Sequence, residues 1–251
     1  MSRFHLAWVA AAILIIPAAV RAGDEDAKSI LIKAIKAHGG EEFLTKHQAG
    51  QSKSTGKLTL AGVGEVNYTQ ENAYMLPDKF KEDLELDIAG QKVKVVTLVN
   101  GDKMSVTANG MEAPLDATTK GALEHARYMM KVARMTALVK EKGYELSLTG
   151  EIKVGDKPAV GIRVSSKGQK DITLYFDKET GLLAKLEHRA AEAGTGNEVT
   201  EERIVVEYKK NDAGIPLPKK LVIKHDGKDF LVADVVEAKM LEKLDDSFFS
   251  K

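Results

Sequence analysis

Lys57-Leu58-Thr59-Leu60-Ala61-Gly62-Val63-Gly64-Glu65-Val66-Asn67-Tyr68-Thr69 carries the clearest structural signal in this chain. Leu58 and Leu60 alternate with Lys57 and Thr59, and Val66 and Tyr68 alternate with Glu65, Asn67 and Thr69. A period of two places every second side chain on one face, so each half reads as a strand with one apolar and one wet side. Ala61-Gly62-Val63-Gly64 is the turn between them, because glycine accepts backbone angles that reverse a chain. Gly62-Val63-Gly64 also looks like the start of a phosphate loop. The third glycine is missing, however, and a strand follows instead of a helix. Asn67-Tyr68-Thr69 matches a glycosylation acceptor but falls inside a strand.

The same pattern continues on both sides. After Pro77-Asp78, Leu84, Leu86 and Ile88 alternate with Asp83, Glu85 and Asp87, and Ala89-Gly90-Gln91 turns the chain into Val93 and Val95. This is an antiparallel meander. Alternation resumes over Tyr144–Val154 and over residues 159–165, 172–176, 182–188, 199–208, 217–225 and 230–238. Turn signals such as Gly155-Asp156 and Asp226-Gly227 separate these runs. The class is mainly β, with about eleven or twelve strands and no linker, repeat or low-complexity segment.

Two helices interrupt the strands. Asp24-Glu25-Asp26 opens the first, where acidic residues suit the positive end of the helix dipole. Ala27, Ile30, Leu31, Ala34 and Ala37 form its apolar stripe, and Gly39-Gly40 ends it. A short helical turn over Glu41–Lys46 follows. The second helix spans about residues 118–142. At roughly 100° per residue, Glu124, Arg127, Lys131 and Arg134 cluster in a narrow polar arc. Leu123, Ala126, Met129, Met130, Val132, Ala133, Met135 and Ala137 occupy more than half of the circumference. A surface helix buries a stripe of roughly 100°, so this one should sit in a concavity, as a lid or a plug. Its methionines are unbranched and adapt to irregular contacts.

Ser2-Arg3-Phe4-His5, an apolar run from Leu6 to Val20, and small residues at Val20 and Ala22 make a secretory signal peptide. It covers residues 1–22, so the expected mature chain is one domain, 23–251, starting at Gly23. That places it in the periplasm or otherwise outside the cytoplasm. The apolar run of about 15 residues is short of the ~20 that cross a bilayer. Removing Arg3 and Arg21 leaves 35 basic residues against 37 acidic ones. This balance argues against a nucleic-acid partner. There is no cysteine, so neither a disulfide nor an N-terminal lipid on cysteine is expected.

Signals for chemistry are negative. The six histidines, at 5, 38, 47, 125, 188 and 225, show no metal-ligand spacing. His125 falls in the apolar arc of the second helix. His188 and His225 fall on the apolar side of their strands and read as satisfied core or strand-end residues. The carboxylates of residues 82–87 read as a solvated strand face. No nucleophile motif such as G-x-S-x-G is present. No catalytic residue, metal or cofactor is expected.

Several phrases resemble a known family. They are Tyr74-Met75-Leu76-Pro77-Asp78-Lys79-Phe80-Lys81, Tyr175-Phe176-Asp177-Lys178-Glu179-Thr180-Gly181-Leu182-Leu183, Ile215-Pro216-Leu217-Pro218-Lys219-Lys220 and Leu244-Asp245-Asp246-Ser247-Phe248-Phe249. Their order, with the sequence helix, meander, wide-faced helix, meander, resembles the periplasmic lipoprotein-carrier superfamily (LolA/LolB-like sorting proteins) over nearly all of residues 24–251. The resemblance implies a half-open antiparallel β-barrel whose concave face is covered by helices and holds acyl chains of lipids or lipoproteins. It further implies a non-catalytic carrier, with envelope membrane proteins as further partners. The alternative on the same fold is an envelope sensor or interaction protein with a filled barrel. The family's strand arginine that latches the lid has no match in this sequence. The cavity-lining candidates are Leu58, Leu60, Val66, Tyr68, Leu84, Leu86, Val93 and Val95 of the first meander, with Met129, Met130 and Met135 of the second helix.

Overall fold

The computed structural model describes residues 22–192 and 196–250, so the leader read at residues 1–22 lies outside them except for Ala22. Two helices come first, α1 (Ala22–Ala37) and α2 (Glu41–Lys46). A first meander follows: β1 (Ala49–Leu60), β2 (Gly64–Met75), β3 (Lys79–Ile88), β4 (Gln91–Asn100), β5 (Lys103–Ala108) and the two-residue β6 (Met111–Glu112). Helices α3 (Ala117–Ala133) and α4 (Thr136–Lys140) then lead into a second meander. Its strands are β7 (Tyr144–Val154), β8 (Lys157–Ser166), β9 (Ile172–Asp177), β10 (Leu183–Ala191), β11 (Glu198–Lys210), β12 (Pro216–His225) and β13 (Lys228–Leu241). A single 3-10 turn, Asp246–Phe249, ends the described chain.

Among the described residues the thirteen strands form one antiparallel sheet, ordered β6-β5-β4-β3-β2-β1-β13-β12-β11-β10-β9-β8-β7. The sheet is not closed, because β6 and β7 stand at opposite edges. It is curled. Glu82 on β3 and Arg203 on β11 are five strands apart, about 24 Å in a flat sheet. Even so, the Arg203 charge acts on the Glu82 carboxyl. Similarly, α3 packs over β9 and β10 while its Arg127 Nη1 donates to Gly101 O, in the β4–β5 turn, at 3.1 Å.

Cross-strand register shows which face is concave. Leu58 stands opposite Val66 and Leu231, Tyr68 opposite Leu86, and Leu86 opposite Val93. In the other half, Leu186 stands opposite Leu174 and Leu174 opposite Ile162. The second set packs under the helices. Ala27, Leu31, Ala34 and Ile35 of α1 join Leu44, Met129, Val132, Met135 and Leu138 over Leu146, Ile162, Val164, Ile172, Leu174, Phe176 and Leu186. Burying these side chains contributes at roughly 25 cal/mol per Å². The first set, Leu58, Val66, Tyr68, Leu86 and Ala233, forms a separate cluster in the half without helices.

The second helix departs from the sequence reading. The apolar arc predicts one helix over residues 118–142, whereas the chain forms α3 and α4 with a break at Arg134-Met135. Met135 has φ +65°, a left-handed conformation that methionine rarely adopts. Its side chain is 2% exposed in the helix-covered core, and this packing holds the turn. The start of α3 is set by Asp116, whose Oδ1 accepts from Thr119 N at 2.7 Å. Gly121 lies inside α3, has no positive φ, and an added Cβ there would meet nothing within 4 Å. Gly121→Ala should therefore stabilise the protein by about 0.5–1 kcal/mol, read as a raised midpoint in urea.

Candidate ligand cavity and its histidine network

A cavity of about 540 Å³ opens between the first turns of α3, the turn at Gly168-Gln169-Lys170, β10 and β11. Gly121, Ala122, Ala126 and Met129 form one side of it, and Ala190 and Ala191 part of the other. Its polar wall is His125, His188, Glu201 and Arg203, with Lys170, Arg189 and Glu124.

Two of these polar groups, His188 and Glu201, share one rung of the sheet with His225. Glu201 on β11 stands directly opposite His188 on β10 and His225 on β12. His188 Nε2 donates to Glu201 Oε1 at 3.1 Å and His225 Nε2 to Oε2 at 3.1 Å. Arg203 Nε donates to Oε1 at 2.6 Å. The Glu201 side chain is only 11% exposed. Burial alone would raise its pKa. The Arg203 charge and the hydrogen bond from His188 outweigh that and hold the carboxyl far below the usual range. His225 also stacks on Phe230 with ring centroids 3.9 Å apart, and its buried Nδ1 has no partner.

Helix α3 joins this network through His125, whose Nε2 lies 3.0 Å from His188 Nδ1. A carboxylate only accepts, so His188 Nε2 carries a proton. With a neutral His188, Nδ1 is then the acceptor and His125 Nε2–H the donor. His125 is pulled down to about 4, first by burial and then by His188, Lys170 and Arg203, with Glu201 acting in the opposite sense. On the far wall, Glu82 is raised by burial, with Arg203 and a hydrogen bond from Gln70 acting against the rise. Glu82 shares the parity of Leu84 and Leu86 and so faces inward, which corrects its reading as part of a solvated face.

Two arginines tie α3 to the first meander. Arg127 reaches Gly101 O, and Arg134 Nη2 donates to His47 O, between α2 and β1. The Arg134 guanidinium lies 5.9 Å from the centre of the Tyr74 ring, and its buried Nε has no partner. The sequence puts Arg134 in a wet arc, whereas it is half-buried at the α3–α4 break.

The residues expected to line a cavity separate into groups. Leu58, Leu60, Val66, Tyr68, Leu84, Leu86 and Val93 are brought together in one cluster with Leu221, Phe230, Leu231 and Ala233. Val95 is half-buried, opposite Leu84 and Ala108. Met129 lines the 540 Å³ cavity and also packs in the helix-covered core, where Met135 sits too. Met130 lines a smaller cleft of about 210 Å³ with Tyr74, Leu76, Ala133 and Arg134. Among the described residues no cluster of three or more His, Asp or Glu could hold a metal ion. No described helix is long and apolar enough to cross a membrane.

No protein-family model matches the sequence, and neither does any curated protein. Solved structures do match. A LolA superfamily protein from Nitrosomonas europaea superposes with a TM-score of 0.55 at 13% identity, over 90% of this chain and 97% of its own. An outer membrane lipoprotein-sorting protein domain from Vibrio parahaemolyticus gives 0.52 at 9% identity, over 90% and 97%. A DUF1329 family protein from Desulfovibrio piger gives 0.51 at 13% identity, over 89% and 97%. The curled, unclosed antiparallel sheet with helices on its concave face has the fold of the LolA superfamily.

Proposed function

We propose that this protein is an exported, non-catalytic carrier that shelters the acyl chains of lipids or lipoproteins inside its half-barrel, with α3 as a movable cover. The observation that carries this reading is the 540 Å³ cavity beneath α3. Its size falls in the range of small-molecule sites. The helix over it is held by side-chain ties from His125, Arg127 and Arg134 and by apolar packing, with no strand hydrogen bonds. The proposed acyl wall is Ala122, Ala126 and Met129 at the cavity, extended by the inner cluster around Leu58, Val66, Tyr68 and Leu86 when α3 moves away. Each Å² of chain removed from water there contributes roughly 25 cal/mol. Envelope membranes or their proteins would supply and receive the cargo.

The test is a fluorescent fatty-acyl probe titrated into the mature protein, with mass spectrometry of lipid copurifying from the native envelope. Binding should be saturable, and Leu86→Glu should reduce it at least tenfold while circular dichroism still reports strands. One observation favours a second reading, an interaction protein with a filled barrel. Leu58, Val66, Tyr68 and Leu86 already cover one another, each less than 8% exposed. No bound probe and no copurified lipid would select that reading.

A further inference from the structure

We infer that the cavity beneath α3 takes a single-chain amphiphile with an anionic head, and takes it together with one proton received by the His125–His188 pair. The inference rests on the carrier reading and names its ligand class. The charges facing His125 come from every surrounding element. They are His188 and Arg189 on β10, Glu201 and Arg203 on β11, His225 on β12, Lys170 before β9, and Glu124 on α3 itself. Tyr128 on α3, with Asp171 nearby, and Glu82 across the barrel complete the set.

Most of these charges are already committed. Glu201 serves Arg203, His188 and His225. Glu198 receives both Lys170 and Arg189, at 2.9 and 3.2 Å. That wall keeps one cation in excess, and exposed Glu124 on the rim and Asp171 beside it more than balance it. With both imidazoles neutral the empty cavity has no net positive charge to offer an anion. The hydrogen-bonded pair supplies one on demand. His188 keeps its Nε2 proton on Glu201 and its Nδ1 as the acceptor, so the second proton goes to Nδ1 of His125, whose Nε2–H still donates to His188. In the empty cavity the neighbouring positive charges oppose that proton. An anionic head beside the pair cancels the opposition, so proton and anion bind cooperatively. The alkyl chain then lies along Ala122, Ala126 and Met129.

Calorimetric titration with dodecanesulfonate, which stays ionised, and with dodecanol tests this. Sulfonate affinity should rise from pH 8 to pH 6, approaching tenfold per unit where one proton is taken up. Parallel runs in phosphate and Tris should show uptake of about one proton, and dodecanol affinity should not change with pH. His125→Gln should flatten the sulfonate profile and keep dodecanol binding, which also shows that the variant is folded. A pH-independent sulfonate affinity, no proton uptake, or an unchanged profile in His125→Gln would overturn the inference. Dodecanol bound without sulfonate would overturn it and leave the carrier reading standing. Neither ligand bound at either pH would overturn both.

Discussion

Met129→Glu is expected to release α3 from the concave face, lower the melting temperature, and leave the strand signal in circular dichroism intact. Met129 is 6% exposed, packed with Val132 and Leu174 in the helix-covered core. A glutamate there would be a charge in an apolar site, at a cost of several kcal/mol, against a total stability of about 5–15 kcal/mol. The sheet is held by main-chain ladders, whereas α3 is held by side chains alone. Moving the helix out is therefore the cheaper escape. The acyl probe should then bind with at least tenfold altered affinity. Met129→Leu, which conserves volume, should cost less than about 1.5 kcal/mol. Aggregation of Met129→Glu would show that α3 is a fixed plug. A variant that melts and binds like the parent would contradict its burial.

Glu201→Ala should cost about 1–3 kcal/mol, the penalty for leaving the buried N–H groups of His188 and His225 without an acceptor, while the Arg203 side chain, 42% exposed, can turn to water. It strips the acceptor from Arg203, His188 and His225 at once. The pH dependence has a definite sign. A carboxyl held below its unfolded value contributes stability that is present above the usual carboxylate range and lost as pH falls through the folded titration. The difference in melting temperature between parent and Glu201→Ala should therefore be widest near pH 7 and narrow on acidification. A constant difference from pH 7 to pH 3 would show that the carboxylate charge contributes nothing.

The sheet was legible because alternation and turns are local. Tyr144–Val154 is a strand from end to end, and the hairpin around Gly62 pairs Leu58 with Val66. The α3–α4 break was not legible, since Met135 holds a left-handed conformation without glycine to announce it. The histidine network was hidden by sequence distance, as 63 residues separate His125 from His188. One signal could have exposed it. His188, Glu201 and His225 each take an inward position in an adjacent strand. Polar residues repeated at inward positions of neighbouring strands mark a buried polar rung. Glu82 obeys the same rule, two residues from Leu84.

The strand order also bears on how the chain reaches this state. Every neighbouring pair in the sheet is consecutive in sequence except β1 with β13, where Ala49 meets Leu241. The two meanders can each zip from local hairpins, which need little loop closure. Their union at the single β1–β13 seam must wait until almost the whole chain is in place. During synthesis the first meander therefore emerges with β1 as a bare edge. Its final partner, β13, is made only after the twelve other described strands. The inner cluster of Leu58, Val66, Tyr68 and Leu86 stays incomplete until Leu231 and Ala233 arrive with that strand. The seam therefore makes the pairing of β13 with β1 the step that completes the sheet.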